Sequence, residues 1–174
     1  MTNTLEDLKN RRSCRSYQPR QIAEEELQAV LEAGMYAPTG MGAQSPVIVA
    51  VQDPETIDRL RRMNAAIMGA PEADPFYGAP TVLIVLADRS RPTCRYDGSC
   101  VMCNLLNAAQ AVGLGACWIH RAREEFDSDE GKALLKQWGI EGDYEGVGHC
   151  ILGYRADAVP APAPRKERYV YYVR

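Results

Sequence analysis

Thr81-Val82-Leu83-Ile84-Val85-Leu86 is a continuous run of β-branched and aliphatic residues, preceded by the turn formers Gly78-Ala79-Pro80. A short run of this kind, bounded by breakers, reads as a buried strand. Further along, residues 97–112 are apolar nearly all round: Val101, Leu105, Ala108 and Val112 share one face, while Met102, Leu106, Ala109 and Ala111 fill others. A helix of that composition is buried, at a domain centre or in a subunit interface. Gly113-Leu114-Gly115 ends it, and Ala116-Cys117-Trp118-Ile119 reads as another strand. A polar helix over 124–138 and a strand over 146–154 complete the C-terminal half.

On the N-terminal side, residues 47–52 read as a strand on the run Val47-Ile48-Val49-Ala50-Val51. Asp53-Pro54-Glu55 then supplies an N-cap, a proline at the first helical position and an acid in the first turn, opening a helix that runs to about Ile67. Leu27, Val30 and Leu31 give residues 24–33 an apolar stripe, with Gly34 as the C-cap, and residues 3–10 form a short helix. Helices and strands mix without strict βαβ alternation. The fold class is therefore α+β, a central mixed β-sheet flanked by helices. With neither linker nor repeat, residues 1–174 read as one domain.

Composition narrows the function. Apolar residues make up 46% of the 174 and charged residues 25%, enough for a hydrophobic core. A net charge of -3 argues against generalised attraction to nucleic acid or to an anionic membrane. The N-terminus lacks a signal-peptide pattern, and no apolar run nears the roughly 20 residues that span a bilayer, so a cytoplasmic protein is expected. The six cysteines read as reduced thiols. Cys100-Val101-Met102-Cys103 is a single CxxC, read as two buried small side chains. The competing reading, a metal or redox pair, has only His120 and His149 to draw on for imidazole ligands.

Three segments carry candidate chemistry. Arg11-Arg12-Ser13-Cys14-Arg15 sets three guanidinium groups and a hydroxyl within five residues, which suits bidentate, charge-assisted bonding to a phosphate. Taken alone, it also reads as a solvated basic turn balanced by Glu24, Glu25 and Glu26. Pro164-Arg165-Lys166-Glu167-Arg168 is a second basic cluster, able to converge on the same phosphate or simply to be a solvated tail. Gly113 to Arg121 delivers backbone N–H groups to the carboxyl edge of a short strand. It lacks the GxGxxG fingerprint and runs helix to strand, so a Rossmann site is unsupported. His120 fits either an acid–base role near neutral pH or a structural hydrogen bond. There is no P-loop, HExxH, GxSxG or paired CxxC.

Taken together and in order, these segments resemble the nitroreductase family. Arg11 to Arg15 matches its RRSxR-like opening. Ala33-Gly34-Met35-Tyr36-Ala37-Pro38-Thr39-Gly40-Met41-Gly42-Ala43-Gln44-Ser45-Pro46 matches an AGxxAPSxxNxQPW-like loop. Gly113 to Ile119 matches GLGxxWI, Ile151 to Tyr154 matches ILGY, and Pro164 to Lys166 matches a Pro-Arg-Lys stretch. The likeness runs from about residue 5 to the end and is greatest to a short subgroup of this length. The chain departs from the pattern at Gly42, where the family carries Asn, and at Ser45-Pro46, where it carries Pro-Trp.

The resemblance implies an intertwined homodimer with FMN at the subunit interface. It implies Arg11, Arg12 and Ser13, with Arg165 and Lys166, on the flavin phosphate, and Arg15 near the pyrimidine end of the ring. Pro38, Thr39, Gly40, Met41 and Gln44 would approach the flavin of the other subunit. His120 and Arg121 would offer mainly backbone near N5 and O4, and Asn64 the pyrimidine edge. The implied activity is an FMN-dependent oxidoreductase transferring hydride from NADH or NADPH to a small electron-poor acceptor (a nitroaromatic, quinone or activated alkene) by a ping-pong mechanism. The chemistry lies on the flavin, so no catalytic acid or base is expected on the protein. The alternative is a non-catalytic flavin-binding storage or sensor protein; a third reading is a thiol module at Cys100 and Cys103. Pro160, Pro162 and Pro164 favour an extended arm, and Tyr169 to Val173 has high strand propensity, so residues 155–174 are expected to reach the partner subunit's sheet.

Overall fold

The computed structural model describes residues 4–174. Helix α1 is Thr4–Asn10, α2 is Glu24–Met35, and a single 3-10 turn covers Gly40–Gly42. Strand β1 (Val47–Val51) leads into α3 (Pro54–Ile67) and β2 (Thr81–Asp88). The second half runs α4 (Cys94–Ala111), β3 (Gly115–Ile119), α5 (Ala122–Asp127), α6 (Asp129–Gln137) and β4 (Tyr144–Gly153). The strands form one sheet in the order β1-β2-β4-β3.

The alternation of side chains along β2 and β4 builds three layers. Leu83, Val85, Cys150 and Leu152 face α2 and α4, meeting Leu27, Val30, Val101 and Leu105. Val82, Ile84, Leu86 and Ile151 point the other way, onto Leu60, Met63, Phe126 and Leu134 of α3, α5 and α6. Each fully buried aliphatic side chain contributes about 1.5–3 kcal/mol of hydrophobic stabilisation. The N-cap expected before α3 is present: the Asp53 carboxylate accepts from the Thr56 hydroxyl at 2.6 Å and from the Thr56 N–H at 2.8 Å, and these two bonds, the hydroxyl first, hold its pKa below the ordinary carboxylate value. No helix among the described residues is long and apolar enough to cross a membrane.

Several local expectations are corrected. The four strands are antiparallel to their neighbours rather than mixed; among the described residues, parallel pairing is confined to the isolated bridge between Ser13 and Ala116. Gly34 does not cap α2. It lies inside the helix, buried, where a Cβ would stand 2.6 Å from Leu105 Cδ2 and 2.9 Å from Ile48 Cδ1. The glycine thus serves the close approach of α2 to α4, not a left-handed turn. The stretch 124–138 is two helices, because Ser128 is extended (φ -71°, ψ 158°) and caps α6 by accepting from the Gly131 N–H at 3.0 Å. Only glycine fits at 131, since a Cβ there would overlap the Glu125 carbonyl oxygen. Helix α4 starts at Cys94, three residues earlier than its apolar pattern, and is buried on one side only. Cys100 is half-buried and Cys103 exposed, so the expected pair of buried thiols is not formed. An i, i+3 pair shares one helix face, and here that face turns away from the sheet.

Replacing Gly34 with alanine should lower the unfolding free energy by about 1–2 kcal/mol in urea titration, the overpacking cost exceeding the helix-propensity gain of about 1 kcal/mol. A variant as stable as the parent would show that α2 and α4 have room to part.

Candidate functional site

Strand β3 carries a group of polar residues at each end. At its start, Cys14 N donates to Ala116 O at 2.9 Å, drawing the segment 11–17 alongside. A Cβ on Gly115 would meet Cys14 Sγ at 2.7 Å and Arg155 Cγ at 2.8 Å, so glycine there lets three segments meet. Arg155 also donates from its guanidinium to Arg12 O at 2.9 Å. Ser13, Arg15, Ser16, Arg155 and Asp157 line a hollow of about 230 Å³.

The charges here lack compensation. Arg11, Arg12, Arg15 and Arg155 form no ion pair among the described residues, whereas Arg59, Arg61, Arg62, Arg89, Arg95 and Arg123 each do. The balancing role expected for the glutamates is not seen: Glu26 accepts from Ala23 N and Tyr154 Oη, and Glu24 from Gln28. Arg12 Nε is buried with no hydrogen-bond partner among the described residues, an orphaned donor that asks for an anion or water. Beneath this surface, Cys14, Cys117 and Cys150 are buried. Burial pushes the Cys150 thiol and the Tyr17 phenol well above their ordinary pKa values, so neither ionises near neutrality.

At the other end of β3, Arg121 adopts a left-handed conformation (φ 78°, ψ 3°) and opens α5. Asn64 of α3 donates to His120 O at 2.8 Å, and its Oδ1 accepts from Arg121 Nε at 3.0 Å. The same amide nitrogen donates to Glu125 Oε1. Asn64 is fully buried, so its amide is committed within the protein rather than displayed on a surface. His120 is exposed and borders a cavity of about 300 Å³ with Trp118, Arg95 and Glu145. Arg95 bonds both Glu145 oxygens through Nε and Nη2 and holds that carboxyl below its ordinary pKa. From Ala116 to His120 the strand advances by four residues, about 13 Å at the usual rise.

The loop after α2 forms a third group, on the face made by α2 and α4. Met41 (φ 56°), Gly42 (φ 65°) and Gln44 (φ 50°) are all left-handed, and Met41 is completely exposed. The buried Asp97 fixes the loop, accepting from Gly40 N at 2.9 Å and Thr93 Oγ1 at 2.9 Å; Thr39 Oγ1 accepts from Gln44 N at 3.0 Å. Thr39 and Gln44 border a cleft of about 610 Å³ with Leu31, Met35 and Pro46, while Pro38 is exposed beside them.

Residues 8–154 match the model of the nitroreductase family. The chain belongs to the nitroreductase family. A Methanothermobacter thermautotrophicus protein provisionally named an NADH dehydrogenase/NAD(P)H nitroreductase is 32% identical over 125 residues. That match covers 67% of this chain and 60% of the relative, so the chain spans less than two thirds of that protein. An Archaeoglobus fulgidus protein of the same provisional name is 28% identical over 162 residues, covering 90% of this chain and 88% of its own. Among solved structures, a Bacteroides fragilis nitroreductase with bound FMN superposes with a TM-score of 0.90 at 29% identity, with full coverage of both chains.

The nitroreductase fold sorts the expected site residues into three groups. Arg11, Arg12, Ser13 and Arg15 lie at the start of β3, Asn64, His120 and Arg121 at its end, and Pro38 to Gln44 on the α2–α4 face. Arg165 and Lys166 sit on the exposed arm, where Arg165 bonds Ala163 O and Lys166 lies 5.3 Å from the Tyr169 ring centroid. Among the described residues, no hydrogen bond or ion pair joins Arg165 or Lys166 to Arg11 through Arg15. Sequence reasoning missed Arg155, Asp97, Glu125 and His149. Only Arg155 carried a signal, as a cation directly after the Ile151 to Tyr154 strand end.

Asp97→Ala would strip two donors of their shared acceptor. It should cost about 1.5–3 kcal/mol and speed limited proteolysis between residues 38 and 45. Unaltered cleavage kinetics would mean that Asp97 does not anchor the loop.

Proposed function

We propose that this chain is an FMN-dependent oxidoreductase, a homodimer that takes electrons from NADH or NADPH and passes them to a small electron-poor acceptor such as a nitroaromatic, quinone or activated alkene. The observation that carries this reading is the set of four unpaired arginines at the start of β3, with the buried, partnerless Arg12 Nε. Uncompensated guanidinium groups beside serine hydroxyls fit a phosphate, the anionic end of FMN. The bound FMN of the Bacteroides relative and the NAD(P)H in the names of the archaeal relatives support the same reading.

Bound FMN supplies the two-electron redox chemistry, alternating between donor and acceptor at one face. The chain's own residues bind, orient and tune. Arg11, Arg12, Ser13 and Arg155 grip the phosphate. Arg15, exposed at the rim, places a cation where negative charge develops on reduction. The turn at His120 and Arg121 offers backbone groups to the ring, with Asn64 bracing it from behind. In the dimer, the loop from Pro38 to Gln44 reaches the other subunit's flavin, which accounts for a rigidly anchored loop displaying a fully exposed Met41.

The surface supports assembly. Leu8, Met35, Tyr36, Met41 and Tyr96 are exposed on α1, the end of α2, the following loop and α4. Large exposed apolar side chains gathered on one side mark an interaction surface. Tyr169, Val170, Tyr171, Tyr172 and Val173 are likewise exposed at the end of the arm. Strand β1 is an edge strand, and the opposite edge, β3, already has segment 11–17 beside it. The arm therefore adds to the partner's β1, bringing Arg165 and Lys166 to the phosphate.

The purified protein should show flavin absorbance that bleaches on anaerobic addition of NADH or NADPH. Arg155→Ala should weaken FMN affinity at least about tenfold, or roughly 1.4 kcal/mol. Flavin bands that persist with both donors would favour a storage or sensor protein, and no flavin uptake would overturn both readings.

Deleting residues 160–174 should lower both dimer content in sizing experiments and flavin occupancy. A truncated chain that remains dimeric and fully flavinated would remove Arg165 and Lys166 from the site.

A further inference from the structure

A fully buried polar pair lies under the end of β3 and has no place in the chemistry described so far. Glu125 and His149 are both fully buried, Glu125 on α5 and His149 in the middle of β4. Their Oε2 and Nε2 atoms stand 3.0 Å apart without forming a hydrogen bond, and His149 Nδ1 has no partner among the described residues. The imidazole is walled by Phe76 and Phe126, with ring centroids at 5.2 and 6.4 Å. Burying an ionisable pair among aromatic rings is costly, and a hydrophobic pair of similar volume would be at least as stable. Stability alone therefore does not account for the pair.

Its other contacts point to a role. The second oxygen of Glu125 accepts from Asn64 Nδ2. Asn64 is thereby held with its nitrogen toward His120 O (2.8 Å) and its oxygen toward Arg121 Nε (3.0 Å). Arg121 needs such a hold. A non-glycine residue at φ 78° carries about 1–3 kcal/mol of backbone strain and persists only where its surroundings fix it. Helix α5 is itself pinned against the sheet: a Cβ on Gly146 would overlap the Ala122 carbonyl, and one on Gly131 would overlap that of Glu125. The carboxylate is thus set in place by backbone packing on two sides.

We propose that Glu125, backed by His149, is the positioning residue of the site: through Asn64 it fixes the His120 carbonyl and holds Arg121 left-handed, setting the backbone at the end of β3. This deepens the flavin reading and rests on it for the identity of the ligand met by that backbone. Glu125 touches no ligand and acts only through Asn64.

The test separates the brace from the flavin. In the full-length chain, with and without FMN, nitrogen-15 NMR follows hydrogen exchange at Arg121 Nε–H and the Asn64 side-chain amide. The brace predicts slow exchange at both in the parent. It predicts at least about a tenfold acceleration in Glu125→Ala and protection retained in Glu125→Gln, whose amide still offers an oxygen to Asn64 and a donor to His149. FMN affinity should fall at least about tenfold in Glu125→Ala and hold within about threefold in Glu125→Gln. Leu134→Ala, a core change on α6, should destabilise the fold yet keep affinity within the same threefold. Rapid exchange in the parent, or unchanged exchange in Glu125→Ala, overturns the brace. Lost protection with unchanged affinity overturns the positioning role, as does an equal loss in Leu134→Ala. If Glu125→Ala fails to fold, Asn64→Leu breaks the same chain one link later and is held to the same two outcomes. A protected parent that takes up no FMN leaves the brace standing and removes the flavin reading instead.

Discussion

Val82 through Ala87 of β2 have no surface exposed to water. A strand buried on both faces requires an apolar layer above and below, and its backbone groups must be paired on both edges. Strand β2 meets the second demand with β1 on one side and β4 on the other. It meets the first with α2 and α4 on one face and α3, α5 and α6 on the other. The remaining elements take their places from this arrangement. Strand β3 lies at the edge beyond β4, with segment 11–17 beside its start and the turn into α5 at its end.

The two ends of β3 treat charge in opposite ways. At the start, four arginines gather without an ion pair among the described residues, although Asp157 lines the same hollow; repulsion between their exposed parts is screened by water. At the far end, an ionisable pair is buried among aromatic rings and fully packed. In the proposed site, the first arrangement keeps cations free for the flavin phosphate, and the second gives up solvation to fix a backbone. One five-residue strand ties both to the same rigid sheet, which sets the spacing between them more firmly than loops would.

The outer face of α4 follows the same logic at a larger scale. The helix is apolar on the sheet side, yet the side turned away carries Tyr96, Cys100 and Cys103 rather than a charged surface. Together with the exposed residues of α1 and the loop after α2, it leaves a surface that one copy of the chain does not cover. The thiols at Cys100 and Cys103 lie on that face, and no group of three or more metal-binding side chains forms among the described residues.

Much of the scaffold was legible in the chain. The runs at 47–51 and 81–86 had only one way to satisfy their apolar side chains, and the capping residues Asp53 and Pro54 marked the start of α3 to the residue, because these signals are local. The order of five short motifs was likewise enough to indicate the family. Signals failed where the cause was a distant neighbour. Gly34 looked like a helix end because glycine often is one, and only the approach of Leu105 shows why it sits mid-helix. The break at Ser128 depends on Gly131 passing the Glu125 carbonyl, and the antiparallel sheet depends on which strands happen to meet. Asn64, Glu125 and His149 are separated by 61 and by 24 positions, with no pattern joining them. Their meeting is a product of three elements packing on one face of the sheet, since side-chain chemistry specifies what a residue can bond to, while only the folded backbone specifies what it will find within reach.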